Sequence, residues 1–489
     1  MLGFLTLKCQ VTKSESMELF RKSFAIFLLM ILPLFVHAQD QDKKGYEIDV
    51  TIDGISNSDL YLGFHYGNRQ FIKDTIRLDE NGNGVFRGDE DLDQGIYLVI
   101  TPQKKYFEIL MGEDQHFSLT TRAADLVNTL DFEGSEINES FNDYQRFMMN
   151  MTRRKNQLQQ KIQGAGENQD STQIWRDQLN KLNQQVEAKW ERLTSEHEGS
   201  ILAAVIRAMQ NPEIPDFQSD ASDRNQDSAR WAQRYRYYKS HFFDNIDLSD
   251  PRMVRTPIFH NKLNHYFNNI LEQRPDSIIA RVDWVIEQTR GSEDNYQYTV
   301  RYLLNHYQKS NIMGMDKVFV HIAEKYYLSG KADWVDSSTL EKIQDRVRRI
   351  KPNLIGKKAP GLEMVARNDK HLNLHNLNSQ YTILYFWEPS CSHCKKVTPE
   401  IYKLYQQYNR DQLQVFAVYT QGDKKEWTQY INKNGFDWIN VYDPNYTSNF
   451  RQKYDVYSTP TIYLLDKDKT IVAKRISHES LKKMLEQKL

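Results

Sequence analysis

Two cysteines separated by two residues are the most specific chemical signal in this chain. Cys391 and Cys394 occur in the stretch FWEPSCSHCKK, directly after an apolar run. A pair at this spacing can form a reversible disulfide, supply half of a zinc site or attach a haem. The chemistry of the chain depends on which of these three the pair serves.

Zinc and haem both need further ligands, which this sequence does not offer. A structural zinc site takes four ligands, and covalent haem attachment takes a histidine directly after the second cysteine. The only other cysteine is Cys9, His371 and His375 fall on a predicted β segment, and Lys395 follows Cys394. We therefore expect no metal and no cofactor, and the reversible dithiol remains.

The position of the pair favours dithiol chemistry. The apolar strand 382–387 ends just before it, so Cys391 falls at the start of the next predicted helix. A helix N-terminus carries about half a positive charge, which favours thiolate over thiol, and Lys395 and Lys396 add positive potential. Cys394 follows one turn later, within the ~5.5 Å between Cα atoms that a disulfide spans. It can therefore attack a mixed disulfide formed on Cys391.

The elements around the pair alternate between strand and helix. After a Pro-, Gly- and Lys-rich link at 351–361, the apolar strands QYTILYFW and LQVFAVYT are each followed by a helical segment. TIYLLD and TIVAKRI then form a predicted edge hairpin, and a last helix closes the chain. This pattern predicts an α/β domain over 351–489.

Two further domains are predicted upstream. Residues 39–135 contain about seven short apolar-polar strands at hairpin spacing, which predicts a β-sandwich. Residues 136–350 change to helical periodicity, beginning with a long helical hairpin that turns at 164–166. Prolines interrupt the later helices at Pro212, Pro215, Pro251, Pro257 and Pro275.

The N-terminus has the features of an export signal. Arg21 and Lys22 precede the apolar segment 24–36, and Val-His-Ala at 36–38 matches a small-residue cleavage site. The apolar run is shorter than the ~20 residues that cross a bilayer. We expect residues 1–38 to be a cleaved signal peptide, with Met17 as an alternative start, and no membrane span afterwards.

Composition excludes one broad class of partner. The 489 residues carry a formal charge of −1, so nothing favours nucleic-acid binding. Hydrophobic residues make up 39% of the chain, enough to fill the cores of several domains.

Residues 352–489 resemble the thioredoxin-like superfamily, and most closely its secreted TlpA/ResA-type thiol-disulfide oxidoreductases. Several stretches carry this resemblance: IGKKAP (355–360), Phe386-Trp387, CSHCKK (391–396), the helix-kinking Pro399 and Ser-Thr-Pro-Thr at 458–461. The resemblance implies a thioredoxin fold in which Cys391 is the exposed nucleophile and Cys394 the buried resolving thiol, so that the two form the redox disulfide. It also implies a cis peptide at Pro460, with Thr459 and Trp387 beside the substrate.

The same resemblance gives His393 a tuning role and leaves one role unassigned. The resemblance implies that His393, within the CxxC dipeptide, stabilises the Cys391 thiolate, with Lys395 contributing positive charge; the alternative is that His393 is an exposed helix residue without this role. Tyr385 replaces the buried aspartate of thioredoxin, Val397 the acidic residue of ResA-like proteins, and Ser390 the usual tryptophan. The proton acceptor for Cys394 is therefore open, with Glu388 as the one local candidate.

These observations predict a periplasmic thiol-disulfide oxidoreductase that acts on envelope proteins, as a reductase or isomerase rather than an oxidase. Its partners would be client proteins with thiols or disulfides and a membrane electron-transfer protein. The alternative is an envelope binding or scaffold protein, whose upstream domains hold a partner and whose redox module is secondary.

Overall fold

The computed structural model describes residues 44–164, 169–217, 226–421 and 423–489. The expected signal peptide, Met17, Cys9 and positions 165 and 166 of the expected helical turn lie outside these residues. Along the described chain a pair of β-sheets comes first, a group of helices second and an α/β domain last. The multidomain class expected from the sequence is therefore confirmed.

The N-terminal part is a two-sheet sandwich. Its eight strands are β1 (Tyr46–Asp53), β2 (Asp59–Tyr66), β3 (Arg69–Arg77), β4 (Asn83–Gly88), β5 (Gly95–Ile100), β6 (Tyr106–Met111), β7 (His116–Arg122) and β8 (Asp131–Glu133). They form sheets in the orders β4-β1-β7-β8 and β3-β2-β5-β6. Val50 and Phe117 of the first sheet share a core with Leu62 and Val99 of the second, because alternate side chains of each strand face inward.

The helical part begins with a long antiparallel pair. Lys189 reaches Asp143 across the pair at 2.5 Å, and the Trp190 indole donates to the Tyr144 hydroxyl at 3.1 Å. Later helices start at Pro257 and Pro275, where the missing N–H costs no helical hydrogen bond. The helices are α1 (Glu136–Gly164), α2 (Gln169–Glu196), α3 (Ile201–Met209), α4 (Gln226–His241), α5 (Pro257–His265), α6 (Pro275–Gln288), α7 (Glu293–Gln308), α8 (Asp316–Ile322) and α9 (Ser337–Ile350).

The C-terminal part has a seven-stranded sheet with helices on both faces. It contains β9 (Glu363–Ala366), β10 (His371–Asn373), β11 (Tyr381–Trp387), α10 (Ser392–Tyr405), β12 (Leu413–Tyr419), α11 (Lys424–Asn434), β13 (Ile439–Tyr442), α12 (Phe450–Lys453), β14 (Thr461–Asp466), β15 (Ile471–Lys474) and α13 (His478–Lys488). The strand order is β10-β9-β13-β12-β11-β14-β15. Strands β11, β12 and β13 are parallel, and β14 and β15 form the expected antiparallel hairpin.

The segment 351–361, expected as a link, is packed against the last hairpin. The Ala359 N–H donates to the Lys469 carbonyl at 2.8 Å, and the Lys474 ammonium donates to the Asn353 carbonyl at 2.6 Å. Lys474 is 6% exposed and also pairs with Asp316 of α8. Backbone and side-chain contacts therefore hold this segment as part of the structure.

A second contact ties the helices to the C-terminal part. Asp455, which is 3% exposed, pairs with Arg346 of α9 and with Arg475 after β15. The Arg346 guanidinium also lies over the ring of Tyr457, 5.3 Å from its centre. The loop that leads into β14 is thus fixed from the helical side.

Candidate active site

The loops that carry the reactive side chains lie together at one edge of the C-terminal sheet, the edge formed by the carboxyl ends of its parallel strands. The parallel strands β11, β12 and β13 all end at this edge, and the antiparallel strand β14 begins there. Cys391 follows β11, and Thr459 and Pro460 precede β14. The carboxyl edge of parallel strands is where open α/β sheets place their reactive groups.

Cys391 occupies the N-cap of α10. Its backbone is extended (φ −73°, ψ 124°), and its sulfur accepts a hydrogen bond from the Cys394 N–H at 3.4 Å. Cys391 is partly exposed, whereas Cys394 is 1% exposed beneath it. A sulfur at the N-cap receives N–H groups that have no partner within the helix, so this position stabilises a thiolate.

The two thiols differ in pKa because they differ in surroundings. Partial burial acts to raise the pKa of Cys391, but hydrogen bonds from the backbone and side chain of Cys394, from Thr459 and from the His393 N–H outweigh it, so the pKa is lowered. Burial raises the pKa of the Cys394 thiol to about 12. The outer sulfur therefore forms a thiolate more readily than the inner one, which keeps its proton at neutral pH.

The loop opposite the pair has the expected cis peptide. The Thr459–Pro460 bond is cis, which confirms the sequence prediction for Pro460. The Cys391 thiol donates to the Thr459 carbonyl at 3.3 Å. The loop and the nucleophile are therefore in direct contact, and Thr459 and Pro460 themselves are half-buried.

Glu388 joins three loops of this edge. Its carboxylate accepts hydrogen bonds from the Thr459 hydroxyl at 3.2 Å, the Thr420 hydroxyl at 3.3 Å and the Gln421 amide at 2.5 Å. Thr459 therefore contacts the Cys391 sulfur through its carbonyl and the Glu388 carboxylate through its hydroxyl.

Sequence reasoning missed Thr420 and Gln421. Both follow β12, the strand beside β11, so the end of that strand was the available signal. The general rule that parallel strands end at one edge would have placed them beside the cysteine loop.

Tyr385 stands where thioredoxin has a buried aspartate, and its hydroxyl makes a structural hydrogen bond. It donates to the Thr398 hydroxyl at 2.8 Å, and Thr398 donates in turn to the Cys394 carbonyl at 2.7 Å. Burial raises the pKa of Tyr385, so the ring remains a neutral phenol. Tyr385 therefore braces the first turn of α10.

The structure corrects the expectation for Trp387. This side chain is 0% exposed and its ring lies parallel to that of Tyr385, at 6.2 Å between centres. It ends β11 and packs in the core, because the strand is buried on both faces. Trp387 supports the site from beneath and does not face a substrate.

His393 and Lys395 lie on the exposed side of α10. Within the described residues no side-chain hydrogen bond or salt bridge links either of them to the cysteines. The His393 contribution given above for the Cys391 pKa comes from its backbone N–H. The tuning role of the imidazole and of Lys395 stays a prediction.

A dithiol at a helix start, facing a cis-proline loop, defines the thioredoxin class, and comparison with known proteins agrees. A family model described as thioredoxin-like matches residues 378–471. The chain is 30% identical over 138 residues to the thiol-disulfide oxidoreductase ResA of Bacillus cereus, covering 27% of this chain and 75% of that protein. A thioredoxin-like protein of Haemophilus influenzae is 28% identical over 152 residues, covering 30% and 83%.

The chain therefore belongs, through its C-terminal domain, to the thioredoxin-like family of ResA-type thiol-disulfide oxidoreductases, and it is an enzyme of that class. Among solved structures, a domain of a possible thiol-disulfide isomerase from Cytophaga hutchinsonii is 38% identical, with a TM-score of 0.27, covering 28% of this chain and 92% of that one. Residues 176–353 match a domain of unknown function.

Across the described ranges, from 44 to 489 with their three gaps, no helix is both long and apolar enough to cross a membrane.

The contrast between the two thiols predicts a selective alkylation. In native reduced protein near pH 7, iodoacetamide should modify Cys391, with an apparent pKa below the free-thiol value of about 8.5. Cys394 should stay unmodified, because burial raises its pKa to about 12. Mass spectrometry of peptides across a pH series measures both rates, and denatured protein, in which both cysteines react alike, is the control. Equal native rates would contradict the assignment.

Proposed function

We propose that this chain is an exported thiol-disulfide oxidoreductase that exchanges disulfides with proteins of the cell envelope through Cys391 and Cys394. The observation that carries this proposal is the pairing of an accessible thiol of lowered pKa with a buried thiol of raised pKa, one helical turn apart. Such a pair separates the attacking sulfur from the resolving sulfur.

The first step forms a mixed disulfide. The Cys391 thiolate attacks one sulfur of a client disulfide, the client S–S bond breaks, and the other client sulfur leaves as a thiolate that takes a proton from water. An extended client segment would align with the loop at Thr459 and Pro460 through backbone hydrogen bonds, in the manner of an added strand. The exposed Tyr457, two residues before Thr459, borders that line.

The second step releases the client. Cys394 loses its proton, its thiolate attacks the Cys391 sulfur, and the bond to the client breaks. Two electrons have then passed from the dithiol to the client disulfide, and Cys391 and Cys394 are joined. The reverse sequence oxidises a client dithiol.

Glu388 is the proton acceptor that we propose for Cys394. The Thr459 hydroxyl donates to the Glu388 carboxylate at 3.2 Å, so its oxygen would accept the Cys394 proton while its own proton moves to Glu388. Tyr385, at the position of thioredoxin's buried acid, uses its hydroxyl to hold Thr398. Glu388 is thus a carboxylate bonded to Thr459, the residue whose carbonyl accepts from the Cys391 thiol.

We place this activity in the periplasm and in the reducing direction. The segment 21–38 has the charged, apolar and small-residue order of a signal peptide. A membrane electron-transfer partner would return the dithiol to its reduced form, so that the enzyme reduces or isomerises client disulfides. A predominantly oxidised pair in growing cells would instead identify an oxidase.

Trapping should identify the clients. With Cys394→Ser the mixed disulfide on Cys391 has no internal thiol to resolve it, so covalent client adducts should accumulate in the envelope fraction. Nonreducing electrophoresis and mass spectrometry detect them, and dithiothreitol should release them. Cys391→Ser is the matched control and should retain few adducts. Equal adducts from both variants, or adducts confined to the cytoplasm, would contradict the proposal.

Replacing the proposed proton acceptor should slow the second step alone. Glu388→Gln keeps the size of the side chain and removes its charge, so resolution of a preformed Cys391 mixed disulfide should slow by at least about tenfold near pH 7. Raising the pH should recover the rate, because hydroxide then deprotonates Cys394. Alkylation of Cys391 reports the first step and should change much less. An unchanged resolution rate and pH profile would remove Glu388 from the mechanism.

Two substitutions at His393 separate the ring from the backbone N–H. If the imidazole stabilises the Cys391 thiolate, both His393→Gln and His393→Pro should lower the reduction potential, by about 30 mV for each pKa unit of stabilisation lost. If only the N–H acts, His393→Pro alone should do so, since proline removes that donor. Equilibration with glutathione buffers measures each potential. A potential unchanged in His393→Gln would show that the ring has no tuning role.

A further inference from the structure

A cleft of about 710 Å³ lies far along the chain from the dithiol, between the sandwich and the helices. The β2–β3 hairpin forms one wall and α7 forms the other, with Arg255 at the base. The volume falls in the range typical of small-molecule sites, and such sites are frequent where two domains meet.

Helix α7 presents two parallel rows of side chains to this cleft. Tyr298, Tyr302 and His306 recur every four residues, and so do Arg301, Asn305 and Lys309 one step round the helix. Residues four apart lie on one face of a helix, so each row spans about 12 Å. The cleft therefore has an aromatic row beside a row with a cation at each end.

The opposite wall repeats this combination. Strand β3 contributes Arg69 and Phe71, and the Phe71 ring is 43% exposed and stacks on Phe64 at 5.7 Å between centres. Both walls thus offer apolar rings next to positive charge.

Three of the four Arg and Lys side chains that line the cleft form no salt bridge within the described residues. Arg255 pairs with Asp93 and Asp294. By contrast, within the described parts of the chain, no carboxylate forms a salt bridge with the other three cations of the cleft, namely Arg69, Arg301 and Lys309. Burial raises the pKa of the lining Tyr66 to about 12, so it adds no negative charge at neutral pH. The cleft is positive on a protein of near-zero net charge.

The walls are held in place without any ligand. A side chain at Gly67 would overlap the Tyr298 ring, since an added Cβ would lie 1.9 Å from it, and the φ of Gly67 is +60°. The Gly67 N–H donates to the Val254 carbonyl at 2.6 Å, and the Asn68 N–H donates to the Tyr298 hydroxyl at 3.0 Å. The hairpin tip is therefore locked against α7, and the cleft is preformed.

We propose that this cleft binds a small anionic molecule that combines a ring with a phosphate or carboxylate group. Arg301 at one end of the row or Lys309 at the other would hold the acidic group, with Arg69 on the opposite wall, because guanidinium and ammonium groups form charge-assisted hydrogen bonds with such oxygens. Phe71 and Tyr302 would contact the ring. This binding function is separate from the disulfide exchange at Cys391 and does not depend on it.

Three probes separate the two halves of the ligand. Calorimetric titration of the full mature chain with phenyl phosphate, inorganic phosphate and phenol tests ring plus anion, anion alone and ring alone. Phenyl phosphate should bind at least about tenfold more tightly than either partial probe, and added salt should weaken it because exposed charges are screened. Failure of phenyl phosphate to bind, or equal binding of all three probes, would overturn the proposal.

Matched variants locate the binding. The double variant Arg301→Gln/Lys309→Gln should weaken phenyl phosphate by about tenfold. The control Lys161→Gln/Lys181→Gln removes two exposed charges from α1 and α2 and should leave binding unchanged. Phe71→Ser should weaken phenyl phosphate while leaving inorganic phosphate as it was. Equal losses in both double variants would show non-specific attraction and overturn the proposal.

The same variants test whether the cleft instead binds a protein. If an acidic glutamate-rich peptide bound through Arg301 and Lys309 while phenyl phosphate did not, the cleft would be a protein-docking surface and the small-molecule proposal would fail. Circular dichroism and insulin reduction, both expected to be unchanged in these variants, show that folding and the dithiol are intact.

Discussion

The hydrogen bond from the first turn of α10 to the Cys391 sulfur is the contact on which the site depends. It exists because β11 ends, the chain turns and the helix begins at the cysteine itself, so a backbone N–H that would lack a helical partner meets a sulfur. The seven-stranded sheet fixes where that turn occurs. Tyr385 and Thr398 then hold the carbonyl of Cys394 from below, which keeps the turn in register.

Burial, rather than residue type, distinguishes the two cysteines. Both are thiols, and both lie within one turn of helix. The helix rotates the second sulfur into the core, where an ion is costly, while the first remains at the water boundary. A separation of three residues along one helix is therefore enough to give two identical thiols different exposure and different pKa values.

Local patterns allowed much of this arrangement to be predicted from the sequence. The CxxC at a strand-to-helix junction and the cis peptide at Pro460 are encoded in a few adjacent residues, and both were expected. The surroundings of Glu388 were not, because Thr420 and Thr459 reach it from loops distant in the chain. Trp387 was expected beside the substrate, since the sequence at a strand end does not show that both faces of the strand are covered. The cleft beside α7 was likewise not predicted. The four-residue spacing of the aromatic side chains on α7 is also typical of a helix packed in a core. Only the position of the β2–β3 hairpin shows that these side chains line an open cleft.

The buried Asp455 limits how separable the exchange domain is. Its carboxylate is shared between Arg475 of its own domain and Arg346 of α9, and it lies four residues before Thr459. Cutting the chain at 351 would leave that carboxylate with one counterion and open it to water on the helical side, next to the cis-proline loop. The C-terminal domain produced without the helices would consequently lack one of its ion pairs. In this protein the helices supply one of the two counterions of the buried carboxylate that precedes the cis-proline loop.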